Sequence, residues 1–202
     1  MRVQFQNIID MRLIINFVLI LLIILLGYML YNSINEPILF NRVKNQRKEA
    51  VADRLKQVRS AQEIYRLVKG KYASDFDSLI YTLRNERIAY ENIEGDPDDP
   101  TNTNFIRTVT YSAAIDTVNK LGIVLDSLPF VPFSGGKKFE LRADKIEYQG
   151  TIVDVVEVGT RWKEFMGEYG LNRYKKYDSS YDPDGSFKFG DLSRPIISGN
   201  WE

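Results

Sequence analysis

The chain has 202 residues with 27 basic and 27 acidic side chains, a formal net charge of zero, and neither cysteine nor histidine. Those absences exclude thiol nucleophiles, disulfide frameworks, Ser-His-Asp triads, histidine general bases and the usual zinc or iron sites. The neutral average hides a division: residues 41–71 carry a net charge of +7 and residues 72–202 a net charge of −7.

Residues 1–12 (MRVQFQNIIDMR) read as a short polar tail. Leu13 to Tyr31 then supplies nineteen consecutive residues without a charge. As a helix this run reaches roughly 28 Å, close to the ~30 Å hydrocarbon core of a bilayer. A helix also pairs its own backbone polar groups, which hydrocarbon requires. Asn16 is the one amide and lies a turn from the start, while Tyr28 and Tyr31 sit where amphipathic rings favour the headgroup boundary. A signal peptide has a shorter apolar core followed by small residues, whereas this run ends in YMLYNSINEP. An uncleaved transmembrane helix is therefore expected over 13–33, with the lipid bilayer as its partner.

Pro is tolerated in the first turn of a helix, so Glu36-Pro37 predicts a restart. A basic amphipathic stalk helix is expected over 38–70. Its apolar residues Val43, Val51, Leu55, Val58, Ala61, Tyr65 and Val68 recur, after a polar gap around Arg47, at spacings of three and four, with Arg, Lys and Gln on the other face. Gly70 is a natural stop, with Arg66, Lys69 and Lys71 offsetting the negative end of the helix dipole. Val51, Leu55, Val58 and Tyr65 are the candidate helix-contact residues. Their alternative role is to bury the stalk against its own head.

Residues 71–202 are expected to form the head. Ser74 is placed as the N-cap of a helix whose buried stripe is Phe76, Leu79, Ile80 and Leu83 and which ends near Arg87. The segment from Glu91 to Asn104 is dense in Asp, Pro, Asn and Gly and reads as an exposed loop. Strands are predicted at Ile106–Tyr111, Leu121–Leu125, Phe139–Ala143, Ile146–Tyr148 and Thr151–Val158, with Gln149-Gly150 as a hairpin turn. A short helix is expected around Arg161 to Tyr169. The tail from Tyr174 onward mixes Asp, Gly and Ser with aromatics that argue for packing onto the domain. The fold class is α+β, with a small, mostly antiparallel sheet following the long helices.

Three constellations bear on chemistry. Asp182, Asp184 and Asp191 stand in an Asp/Gly-rich tail where carboxylates converging on a hard cation would make a Ca²⁺ site; a plain turn explains the same composition. Asp96, Asp98 and Asp99 form a weaker acidic group. Carboxylate catalysis needs a defined pair, and no spacing among the 27 acids selects one, so the chain reads as a non-enzyme. The basic stalk suits anionic headgroups or subunit contact. From residue 42 to 64 no aromatic interleaves with its cations, so nucleic acid is not an expected partner.

The order of the apolar helix, its basic continuation, Arg59-Ser-Ala-Gln-Glu-Ile-Tyr65, Gly70-Lys-Tyr72 and the Phe76-Asp-Ser-Leu79 helix resembles the N-terminal half of type IV pilin-like proteins and is similar to the major pseudopilins of type II secretion. The likeness covers Leu13 to Leu83. It implies a pilin-like fold, and an Asp/Gly-rich calcium loop near the C-terminus that Asp182, Asp184 and Asp191 echo without matching by position. The prepilin cleavage glycine is absent before the apolar run, as is a Glu inside it, and only Asp10 offers a carboxylate nearby.

The positive-inside count favours a cytoplasmic head, with Arg2 and Arg12 on one flank against Arg42, Lys44, Arg47 and Lys48 on the other. The resemblance implies an exported one. The expected localisation is a bacterial inner membrane, single-pass, with a periplasmic head. The expected role is a structural subunit of an oligomeric envelope assembly that contacts other membrane or envelope proteins. The alternative is a tethered binding module for a glycan, Ca²⁺ or a protein.

Overall fold

Helix α1 runs from Arg2 to Lys69 without interruption. The computed structural model describes the backbone of residues 2–94 and 106–202. Pro37 lies inside α1, so the expected restart does not occur and the spans 13–33 and 38–70 belong to one element that starts ahead of residue 13. Proline removes one backbone bond and crowds the preceding turn, a local cost that long, cooperative helical flanks can absorb. Just beyond it, Asn41 Nδ2 donates to the Pro37 carbonyl at 3.0 Å.

The chain divides into two compact units, 1–45 and 46–202. In the first, every large apolar side chain from Ile14 to Tyr31 is between 46% and 67% exposed. In the second, Val51, Leu55, Val58 and Ala61 are fully buried and Tyr65 nearly so. The remainder of α1 therefore carries a core-facing stripe at the predicted period of three and four.

Gly70 ends α1 at φ +73°, where a side chain would be strained. Gln62 then anchors the following turn from inside: its Nε2 donates to the Ala73 carbonyl at 3.1 Å and its Oε1 accepts from the Ala73 amide at 2.9 Å. Helix α2 (Phe76–Asn85) starts one residue later than expected, because Asp75 is its cap and accepts from the Ser78 amide at 2.7 Å. Ser74 instead hydrogen-bonds the Asp75 carboxylate.

Strands β1 (Arg87–Glu94) and β2 (Ile106–Ala113) form a separate antiparallel pair in the register Ala89↔Tyr111 and Glu91↔Val109. The expected loop thus begins within a strand. Its remainder, with Asp96, Asp98 and Asp99, lies outside the described residues. Helix α3 (Ala114–Lys120) follows. The strand expected at Leu121–Leu125 is absent because its donors bond backwards: Leu121 N to Thr117 O, Gly122 N to Asn119 O and Ile123 N to Val118 O. Gly122, at φ +67°, turns the chain out of α3, and a 3₁₀ turn at Leu125–Ser127 follows.

The main sheet has the order β3-β4-β5, all antiparallel, from β3 (Glu140–Tyr148), β4 (Thr151–Arg161) and β5 (Ser186–Gly190). Gln149 and Gly150 join β3 to β4 with φ of 51° and 78°, the doubly positive pattern of a tight hairpin. On the inner face Val156, Val158, Phe187 and Phe189 are buried. Helix α4 (Trp162–Met166) runs on into a 3₁₀ turn, and its Trp162 ring lies 5.0 Å from that of Phe187, which lies 5.1 Å from Trp201. The tail packs as its aromatics predicted, with Tyr174 and Tyr181 also buried. The protein is mixed α+β.

Candidate functional site

Among the described residues the lipid-compatible surface is built by α1. A helix satisfies its own backbone, so its fitness for hydrocarbon depends on side chains, and from Ile14 to Tyr31 these are apolar on all sides apart from Asn16 and Gly27. Among the described residues this is the one helix long and apolar enough to cross a membrane. A Cβ on Gly27 would meet nothing within 4 Å, so this side of the helix is open to close approach.

Val51, Leu55, Val58 and Tyr65 are brought together, inside the second unit. Polar ties from the same stretch of helix hold it there. Arg47 Nη1 donates to the Phe165 carbonyl at 2.7 Å and its guanidinium lies 5.2 Å from the Phe133 ring. Arg54 donates to the Ser127 carbonyl, and Arg59 to the Ile197 carbonyl at 3.2 Å and the Glu202 carboxylate at 2.7 Å. Several cations of the basic stalk therefore serve as struts to the head of their own chain.

The acidic candidates are spread over separate cation contacts. Asp182 pairs with Lys175 at 2.8 Å and Asp184 with Lys163 at 2.7 Å. Asp191 accepts from the Ser193 amide at 2.7 Å and from Arg194 at 3.1 Å. Each carboxyl is held below the usual range, Asp182 chiefly by the Lys175 hydrogen bond, Asp184 by that of Lys163 and Asp191 by the Ser193 amide. The Asp182-Pro183-Asp184-Gly185 turn is pinned to α4, where the Lys163 amide donates to the Pro183 carbonyl and the Trp162 amide to the Gly185 carbonyl. Nearby, burial and then the Asp182 charge push the Tyr181 hydroxyl up to about 12, and it donates to the Tyr169 carbonyl at 2.9 Å. Among the described residues no three acidic side chains are gathered to hold a metal ion.

One groove was missed by sequence reasoning. A cavity of about 230 Å³ lies on the outer face of the sheet, lined by Glu140, Arg142, Glu157, Gly159, Arg161 and Lys188 among others. Its charges are largely neutralised internally, Arg142 pairing with Glu140 at 3.1 Å and Lys188 with Glu157. The alternation Glu140-x-Arg142 on β3 and Glu157-x-Gly159-x-Arg161 on β4 was the available signal. What it lacked was the register Arg142↔Glu157 and Gly159↔Lys188 that unites the three strands.

Compared with protein-family models, curated proteins and solved structures, the chain matches none.

Proposed function

We propose that this chain is a single-pass, membrane-anchored structural subunit of a bacterial cell-envelope assembly, a secretion or pilus-like machine of the kind its pseudopilin resemblance implies, with a periplasmic head. The observation that supports this reading is in α1: one unbroken helix carries both a surface apolar on nearly every side and the core stripe of the folded head. The role is scaffolding. Because Val51, Leu55, Val58 and Tyr65 are used within the head, partner contacts fall to the span, where Gly27 permits close helix approach, and to exposed groups such as Tyr90, Val109 and Tyr111 on the β1–β2 hairpin.

The test is crosslinking in the native membrane, followed by gentle detergent extraction and identification of what co-migrates. The expected result is a discrete complex that survives extraction and is weakened by Gly27→Leu. A chain released by alkaline carbonate, or one that migrates alone at native abundance, overturns the reading.

A further inference from the structure

Beyond Tyr31 the helix does not become polar all round. Tyr31, Ile34, Ile38 and Arg42 follow at spacings of three, four and four, which keeps them within an arc of about 80° at 3.6 residues per turn. All four are exposed, Ile34 at 55% and Ile38 at 51%. The stripe passes from aromatic to aliphatic to cationic with distance from the span, so aliphatic side chains continue past the tyrosine that favours the headgroup boundary. Arg42 makes no ion pair among the described residues, and Lys44, two residues and about half a turn further, has its Nζ 5.8 Å from the Phe40 ring.

We propose that this stripe is a second membrane contact, an interfacial site for the anionic headgroups of the bilayer that holds the span, with Arg42 as its principal cation. The proposal rests on the membrane-anchored reading. With Tyr31 at the hydrocarbon edge, Ile34 lies roughly 4.5 Å beyond it along the axis, Ile38 roughly 10 Å and Arg42 roughly 16 Å. The headgroup layer of one leaflet is roughly 5 to 8 Å deep. Ile34 therefore falls inside that layer, and the Ile38 backbone lies roughly 2 to 5 Å beyond it, a gap its membrane-leaning side chain narrows. Helical side chains lean toward the N-terminus, here the membrane side, so the Arg42 guanidinium reaches back toward the phosphates while its stem covers apolar surface. The remaining gap is within about one Debye length, ~8 Å at physiological salt. Continuity with the span and the sign of the charge select an anionic lipid surface over a protein partner.

The chain has no cysteine, so single labels are unambiguous. Full-length Ile20→Cys and Ile38→Cys, each carrying a polarity-sensitive fluorophore, are reconstituted into phosphatidylcholine vesicles with and without phosphatidylglycerol and challenged with acrylamide as a neutral aqueous quencher. The label at 20 is expected to be shielded in both vesicles. The label at 38 becomes shielded as phosphatidylglycerol is added and is re-exposed near 1 M salt, where the Debye length falls to about 3 Å. Arg42→Gln should raise the phosphatidylglycerol fraction for half-maximal shielding roughly five-fold, the equivalent of about 1 kcal/mol for one cation, and Arg42→Lys should preserve it. Shielding at 38 that ignores lipid charge, or that follows protein concentration instead, overturns the proposal while the anchor stands. A label at 20 that is quenched in both vesicles overturns the anchor itself.

Discussion

Two stretches of α1 carry similar side chains with opposite burial. From Ile14 to Tyr31 the apolar residues come at nearly every position and stand exposed, whereas from Val51 to Tyr65 they come every third or fourth position and are buried. A helix that meets an apolar medium on all sides needs no period, and one that meets a folded core on one side needs a stripe. The contrast shows that hydrophobicity alone does not say what a helical residue packs against. The pattern around the helix does.

The largest test of this contrast sets Leu55→Ala against Leu22→Ala. Leu55 is wholly buried, so its truncation should cost about 2–5 kcal/mol in urea unfolding of the head followed by tryptophan fluorescence. Leu22→Ala should leave that transition where it is, since none of the described residues encloses Leu22. An equal loss from both would break the distinction.

Next in size is Leu22→Arg. A charge at the centre of the span should cost about 2.5–3.5 kcal/mol of insertion free energy and move protein from the carbonate-resistant membrane fraction, with the head transition unaltered once the protein is solubilised. Failure to redistribute would show that the exposed apolar surface is not lipid-facing.

The smallest effect expected is at the start of α2. Asp75→Ala removes the cap and should destabilise the head by about 1 kcal/mol at neutral pH. The Ser78 amide holds the Asp75 carboxyl below its ordinary 3.8, so the folded state binds this proton less readily than the unfolded one. The contribution is fully present above the unfolded value and is lost as pH falls through the folded value. Wild type and variant should therefore converge in unfolding titrations at acidic pH. A constant difference would assign the effect to something other than the carboxylate cap.

Much of the fold was legible because its determinants are local. The turn at Gln149-Gly150, the stop at Gly70 and the stripe on α1 each depend on residues within a few positions of one another. Leu121–Leu125 misled for a related reason: its β-branched and aliphatic side chains suit a strand, but Gly122 returns its backbone donors to α3. Strand β1 went unseen because Arg87–Glu94 alternates weakly and is recognisable chiefly by its pairing with β2. At the candidate site, the carboxylates of Asp182, Asp184 and Asp191 could be named from sequence, but the partners Lys175 and Lys163 could not, since those pairings depend on how the tail folds back, whereas Arg194 stands only three residues from Asp191.

By itself, the sequence determined that this protein has a segment able to span a bilayer, a basic amphipathic continuation and an α+β remainder without thiol or imidazole chemistry. These follow from composition and from periodicities that a single helix or strand imposes on its own residues. Only the tertiary structure decided that α1 passes through Pro37 unbroken, that Val51, Leu55, Val58 and Tyr65 are spent inside the head, and that Arg47, Arg54 and Arg59 brace it. The bracing depends on groups brought together from far along the chain, as Arg54 and Ser127 are, 73 positions apart, whereas the passage through Pro37 rests on the cooperativity of its helical flanks. Local pattern carries no information about such encounters.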